Sequence, residues 1–512
     1  MNRENSNAPN RKLSLLEVSP LLLALSVVLV GSIQLLLAGE GTRPASLYGM
    51  PLDDVWIHLS YARSLAQDGT FGWNPGTWEN GITAPLWAVL LAVPLKFGVE
   101  PALAAKGLSI FSSLVIMTTL WALTRELAGA GAAAIACAVL VLEPWTSVLA
   151  VSGMEVLAAG TVALAAVFCA LRSNWRGCGW ALAAAGLLRP ELGLLVPLVL
   201  LCAPSNRERL RVFLPPACAG GAWMLFGLGV AGHPLPNAFR TKVNAGFDPV
   251  GQIASVGGLF SAAPRELGMM GGIALLLACA LILCGLVQVT RQLGPARGLG
   301  LLVLPPFALV LFYVVALPLG ASADPLVAAS VQSIYFARYL LIILPWLAIL
   351  GAVGWIELWR RSRGRAGQAV LLSLGFLVLS VVAVTERSAL REAYIRNTQE
   401  IEVLHGGMAD WIRANLPADA VVGVSDAGRI RFGVLQKTVD LTGLNSSELI
   451  GLEDRVPLLQ SHGMTHAAVW PAWHGQLVRD SRLKWTRIGG TRVERNTTAA
   501  YPKMLLYRVE MR

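Results

Sequence analysis

The chain has 512 residues, 55% of them hydrophobic and only 14% charged. Soluble domains carry about 25% charge, so a string of soluble domains, a disordered chain and a disulfide-stapled secreted module are excluded, and a polytopic membrane protein is implied. The formal charge of +10 would suit a nucleic-acid partner, but membrane proteins gather Lys and Arg in cytoplasmic loops, so the lipid bilayer is the expected partner and nucleic acid is not.

Arg3, Arg11 and Lys12 precede the apolar stretch from Pro20 to Ala38. The stretch is too long for a signal peptide and no A-x-A cleavage pattern follows, so it reads as a first membrane helix with its amino terminus inside. The segment from Gly39 to about Pro101 then lies outside. Within it, Thr83 to Phe97 is apolar but short and holds Pro85 and Pro94. It reads as an interfacial helix with Trp87 at headgroup depth, because a full span there would put every later basic cluster on the wrong side.

Ala102 to Leu123 returns to Arg125, Ala132 to Ala150 leads out to Ser152-Gly153-Met154-Glu155, and Val156 to Leu171 comes back to Arg172 and Arg176. Trp180 to Leu201 is interrupted by Arg189-Pro190-Glu191. A single lipid-facing helix would not carry that break cheaply, so two short helices meeting near the outer surface are expected. Val212 to Val230, Ile273 to Thr290, Leu301 to Leu317, Leu340 to Leu358 and Val370 to Val384 complete the alternation, with Arg360, Arg361, Arg363 and Arg365 as the strongest inside signal. This gives about eleven membrane helices of roughly 20 residues or fewer. The expected division is a membrane domain over residues 1–384 and a small extracytoplasmic α/β domain over 385–512, the protein being multi-pass in a bacterial inner membrane. In the tail, Ile401 to Leu416 has helical periodicity, while Ala420 to Val424, Lys437 to Leu441, Ala467 to Trp470 and Met504 to Val509 read as strands.

The seven cysteines, Cys137, Cys169, Cys178, Cys202, Cys218, Cys279 and Cys284, fall in or beside apolar segments and imply no disulfide framework or metal site. His462, His466 and His474 have loose metal-like spacing but no companion Cys, and are expected at the surface.

Carboxylates near a membrane are costly unless hydrated, paired or functional. Asp53, Asp54, Glu79, Glu155, Glu191 and Asp324 all fall at one expected depth, on the outer side. Asp53 and Asp54 are flanked by Leu52, Val55, Trp56 and Ile57, which argues for partial burial and a functional role. Adjacent carboxylates there can accept a proton from an attacking hydroxyl, or hold a divalent cation beside a phosphate leaving group. His58 would share a helix face with Asp54 as a ligand or orienter, or as a structural histidine. Arg189, Arg240, Lys242, Arg265 and Arg338 lie outside against the charge rule and suggest a bound anion. Arg338-Tyr339 sits where a helix re-enters the bilayer, placed either to meet a lipid phosphate or to snorkel as an anchor.

In this order, Asp53-Asp54-Val55-Trp56-Ile57, Tyr61-Ala62-Arg63, Asn74-Pro75-Gly76 and Gly81-Ile82-Thr83-Ala84-Pro85-Leu86-Trp87 resemble the first outer loop of bacterial GT-C glycosyltransferases, most nearly the arabinofuranosyltransferase type of the mycobacterial cell wall. Ser152-Gly153-Met154-Glu155, Arg189-Pro190-Glu191, Pro234-Leu235-Pro236-Asn237-Ala238-Phe239 with Lys242, and Arg338-Tyr339 extend the similarity. In the tail, Ser425-Asp426-Ala427-Gly428 and Asp440-Leu441-Thr442-Gly443-Leu444 also fit. The resemblance spans nearly the whole chain. It implies transfer of a sugar from a polyprenyl-phosphate donor to a glycan acceptor, with inversion. Asp53 or Asp54 would be the base, Asp54 preferred, and Arg338 with Lys242 would meet the donor phosphate. His58, Glu155, Arg189, Glu191, Asn237, Arg240 and Tyr339 complete the expected substrate site. Trp56, Ser60 and Asn80 depart from the family pattern, which bears on the sugar and acceptor rather than the reaction. The alternative is a transporter or flippase of lipid-linked saccharide, although no internal repeat of the transporter kind is present.

Overall fold

A computed structural model describes residues 15–38, 44–243, 262–316, 338–339, 341–362, 364–384, 387–494, 496 and 499–512. The membrane part begins with α1 (Leu15–Leu36), α2 (Asp54–Gln67), α3 (Pro85–Lys96), α4 (Pro101–Ala128), α5 (Ala130–Leu142), α6 (Pro144–Ala150), α7 (Val156–Leu171) and α8 (Trp175–Leu188). A 3₁₀ turn over Pro190–Leu194 leads into α9 (Leu195–Leu200). It continues with α10 (Asn206–Ala231), α11 (Ala262–Leu293), α12 (Leu304–Ala316), α13 (Leu344–Arg361) and α14 (Gly364–Val384).

Local chemistry sets several of these boundaries. Glu100 accepts the Leu103 N–H at 2.8 Å and Pro101 opens α4, so the first turn of the long helix is capped on both counts. Gly129, at φ 90°, separates α4 from α5, a conformation favoured only for glycine. The segment Ala132 to Ala150, expected as one helix, is two: Pro144 cannot continue the hydrogen-bond ladder of α5, and Glu143 instead caps α6 by accepting from Thr146 N at 3.0 Å.

Among the described residues five helices are long and apolar enough to cross a membrane: Glu17–Leu36, Pro101–Ala128, Asn206–Ala231, Gly272–Leu293 and Pro295–Tyr313. Four shorter apolar segments, Pro85–Lys96, Ala130–Leu142, Val156–Leu171 and Pro190–Leu200, accompany them. Where α11 crosses α13, a Cβ on Gly285 would strike the Leu350 carbonyl and one on Gly354 the Leu281 carbonyl. Small residues thus bring two backbones into contact, the packing expected where lipid supplies no hydrophobic drive between helices. Trp87, expected at headgroup depth, lies inside the protein. It is wholly buried and its indole donates to Gly153 O at 3.1 Å, because a buried indole N–H finds an acceptor inside the bundle.

The tail starts with α15 (Arg387–Ile401) and, after a π turn over Glu402–Gly406, α16 (Gly407–Asn415). The strands β1 (Val421–Val424), β2 (Lys437–Asp440), β3 (His466–Val469), β4 (Leu483–Arg492) and β5 (Lys503–Met511) form one sheet in the order β2-β1-β3-β5-β4. The β1 pairings with β2 and β3 are parallel, and those of β5 with β3 and β4 antiparallel. The edge strand β4 escaped the sequence reading because its Lys484, Arg487 and Arg492, the Gly489-Gly490 pair and a register shift between Arg487 and Gly489 hide the alternation. Charges and irregularities of this kind are how edges avoid further pairing.

Two apolar clusters tie the tail to the membrane part. Leu390, Tyr394 and Ile401 join the membrane core. Ile57, Tyr61, Phe71, Trp73 and Ile82 pack with Leu404, Met408, Ile430 and Trp470 in a second cluster. The tail is therefore fixed to α2 and the loop that follows it. His466 and His474, expected at the surface, are both buried, His474 Nε2 lying 2.9 Å from Ser425 Oγ. Burial pushes the His474 pKa down to about 4, helped by Arg455. Ser425 lies in the turn that leaves β1, so the sheet supplies a partner that spacing cannot reveal.

Candidate functional site

Asp53 and Asp54 stand at the start of α2, and the helix sends them in different directions. Asp54 lies in the first turn, where the helix N-terminus favours a carboxylate. Its Oδ2 is 2.6 Å from Arg338 Nη1, and its side chain is 32% exposed, against 6% for that of Arg338. Asp53 is buried, and its carboxylate accepts the N–H of Gly428 at 2.7 Å and of Arg429 at 2.8 Å, with His405 Nδ1 at 3.0 Å. His58, one turn below Asp54 on the same face, is buried.

A second charged group lies at the break between α8 and the 3₁₀ turn. Pro190 disfavours helical backbone at the residue before it, and Arg189 is extended, at φ −152° and ψ 114°. Its side chain bridges two carboxylates, Nη1 to Glu155 Oε1 at 2.9 Å and Nε to Glu191 Oε1 at 2.6 Å, with all three side chains under 10% exposed. Tyr313 donates to Glu191 Oε1 at 3.2 Å.

Tyr339 joins the two groups. Its ring lies under both guanidiniums, 4.7 Å from Arg189 and 5.0 Å from Arg338, and its hydroxyl accepts from Arg338 Nη2 at 3.2 Å. Asp54, Arg338, Tyr339, Arg189, Glu155 and Glu191 therefore form one continuous network built from four separate segments. It holds three carboxylates and two guanidiniums, most of them buried, and Glu155 Oε2 accepts no hydrogen bond among the described residues. Among those residues no three of His, Cys, Asp and Glu converge as metal ligands.

The remaining expected residues are placed on other elements or lie outside the described residues. Asn237 is buried and its N–H donates to Asn80 O at 2.9 Å, which seats the Pro234–Asn237 turn on the loop after α2. Arg240 is half-buried on the short helix Asn237–Val243. The side chains of Lys242 and Arg265, and all of Asp324, lie outside the described residues. Glu79 closes its own loop, accepting from the N–H groups of Trp73 and Asn74. Burial raises its pKa, partly offset by those bonds.

The overall chain trace matches solved structures over almost its full length. ArnT from Cupriavidus metallidurans bound to undecaprenyl phosphate superposes with a TM-score of 0.58 at 14% identity, covering 96% of this chain and 98% of that one. The apo state of the same protein gives 0.57 at 15% identity over the same shares. The archaeal oligosaccharyltransferase AglB from Archaeoglobus fulgidus, in complex with an inhibitory peptide and a dolichol-phosphate, gives 0.57 at 11%, covering 89% of this chain and 69% of that one. The chain therefore shares the fold of these proteins over almost its whole length. Residues 392–503 match a family described as a domain of unknown function, DUF8728. No curated protein matches the chain by sequence.

Within this fold the sequence reading missed two contributors. Tyr313 is hidden in an apolar run. His405 sits in the tail between two carboxylates, Nδ1 toward Asp53 and Nε2 3.1 Å from Asp426 Oδ2. Burial alone would lower its pKa, but Asp53 and Asp426 hold it up at about 10, so it is an imidazolium at neutral pH. The signal available was a histidine between Leu404 and Met408, on the apolar side of an amphipathic helix.

Proposed function

We propose that this protein is an integral membrane glycosyltransferase that moves a sugar from a polyprenyl-phosphate donor to a hydroxyl of a cell-envelope glycan on the extracytoplasmic face. The sugar that the sequence resemblance favours is arabinofuranose. The observation that carries the reading is the Asp54–Arg338 pair at 2.6 Å. It sets a partly exposed carboxylate beside a buried guanidinium, on a fold whose solved neighbours include a protein bound to undecaprenyl phosphate.

The chemistry is a single displacement. The acceptor hydroxyl gives its proton to the Asp54 carboxylate while its oxygen bonds to the anomeric carbon. The bond from that carbon to the donor phosphate oxygen breaks on the opposite face, inverting the centre, and polyprenyl phosphate leaves. Arg338 stabilises the charge gathering on the departing phosphate. Asp54 suits the base role better than Asp53, whose carboxylate is already committed to two backbone N–H groups and an imidazolium. Arg189, balanced between Glu155 and Glu191, keeps Tyr339 and hence Arg338 in place. Where a divalent cation takes part, Asp54 and the unpartnered buried oxygen of Glu155 would be the candidate ligands. The test is Asp54→Asn and Arg338→Ala in purified protein, assayed for product from a lipid-linked sugar in detergent. Detergent micelles have no second compartment, so product formation also separates this reading from a flippase. Full turnover by Asp54→Asn would remove the assigned base.

A further inference from the structure

A carboxylate at the mouth of a helix ordinarily turns back to cap its own first N–H groups. Asp53 occupies that position on α2 and makes no such bond. All three described hydrogen bonds of its carboxylate go to the tail, to Gly428 N, Arg429 N and His405 Nδ1. The tail is built to make them. Gly428 leaves no room for a side chain, since a Cβ there would lie 2.6 Å from Asp53 Cγ. Arg429 is held by a bidentate pair with Glu402 and stacks over Trp56 of α2 at 4.9 Å. His405 is fixed from behind by Asp426, whose Oδ2 also accepts the Trp470 indole N–H at 2.7 Å.

The consequence for Asp54 follows from the chain. Asp53 and Asp54 share a peptide unit, so whatever fixes the first carboxylate also fixes the direction in which the second leaves the helix. An unanchored first turn frays and is the least stable part of a helix. The Asp54–Arg338 distance therefore depends on a contact made by another part of the molecule.

We infer that His405, backed by Asp426, is a positioning residue of the transfer site: by holding Asp53 it fixes the first turn of α2 and so the Asp54 carboxylate, which makes the tail a working part of the site and not an accessory to it. This rests on the reading of Asp54 as the base, and the experiment below separates the two.

The full-length protein in detergent is compared as wild type, His405→Ala, His405→Gln, Asp53→Asn, the double variant His405→Ala/Asp53→Asn, Asp54→Asn and, as a control in an exposed tail ion pair, Arg482→Ala. Two quantities are read: turnover of a polyprenyl-phosphate-arabinofuranose donor, and amide exchange in the first turn of α2. Displacement of a catalytic group by about an ångström costs on the order of 100-fold in rate. His405→Ala is expected to lower kcat by roughly 10- to 100-fold with the donor KM within about twofold. It should also speed exchange at the start of α2 while α4 and the sheet stay protected. His405→Gln, which keeps one N–H donor toward Asp53, should recover part of the rate. The double variant should be no slower than the slower single one, because both break the same link. Arg482→Ala should match wild type.

His405→Ala that folds with wild-type kcat and wild-type exchange overturns the inference. So does a double variant whose losses multiply. Full rate in Asp54→Asn overturns the reading of the base itself. Where wild type does not use the arabinose donor, the sugar assignment fails and the exchange measurement alone decides the role of His405.

Discussion

Arg189 offers the sharpest test of the buried network. Its guanidinium is shared between Glu155 at 2.9 Å and Glu191 at 2.6 Å, with the three side chains 7%, 5% and 9% exposed. Removing one member of a buried charge group costs about 3–5 kcal/mol, because the partners are left charged and unpaired. Arg189→Gln leaves two such carboxylates and also removes the cation from the Tyr339 ring, a contact worth about 0.5–2 kcal/mol. A loss of roughly 3.5–7 kcal/mol follows, summed from those two figures. The discriminating experiment removes more charge, not less. In Glu155→Gln/Arg189→Gln/Glu191→Gln no uncompensated charge remains, and neutral replacement of a buried ion group is often close to neutral in stability. Unfolding by SDS in mixed micelles, followed by tryptophan fluorescence, should place the triple variant near wild type and the single variant far below it. A single variant that unfolds with wild type, or a triple variant as unstable as the single, would refute the argument that charge balance at this break holds the network together.

Asp54→Asn should lower kcat by about 100- to 10,000-fold, the range of general-base catalysis, with the donor KM little changed; steady-state kinetics in detergent decide it. Arg338→Lys keeps the charge but loses the planar fork that reaches both Asp54 and the Tyr339 hydroxyl. The donor KM should rise and kcat should fall less than in Arg338→Ala, as read from saturation curves. Gly428→Ala places a methyl group against Asp53, so exchange at residues 428 and 429 should accelerate and transfer should slow together; unchanged exchange would mean the close approach is not there.

The pH dependence of the tail contact is set by His405. Its pKa rises from about 6.5 when unfolded to about 10 in the fold, so the folded state binds the proton more tightly. Its contribution is complete below about pH 6.5, erodes as pH rises, and is lost above about 10. Asp53 and Asp426 are the charged groups it meets, and the Arg429–Glu402 pair lies beside it, Arg429 donating its N–H to the same Asp53 carboxylate. Proteolysis of the tail should therefore be slower at pH 6.5 than at pH 10, and His405→Gln should abolish that difference.

Much of this architecture was legible without coordinates. Apolar runs bounded by arginines located helices of the membrane part, five of which among the described residues are long and apolar enough to cross a membrane, and Arg189-Pro190-Glu191 announced a break, because proline and paired charges are costly inside a lipid-facing helix. The adjacent aspartates declared themselves by their apolar flanks. Three of the five strands were readable from short buried runs and β5 from its alternation; β4 was not, because its exposed edge carries charges and glycines in place of a regular pattern.

What the sequence could not separate was Asp53 from Asp54. They are neighbours of the same type in the same apolar setting, and local chemistry treats them alike. Only tertiary structure distinguishes them, by bringing Gly428, Arg429 and His405 to one carboxylate and Arg338 to the other. The physical reason is that periodicity and hydropathy record where a side chain is solvated, whereas the partner that gives a buried charge its task comes from hundreds of residues away and is fixed only when the tail packs onto α2.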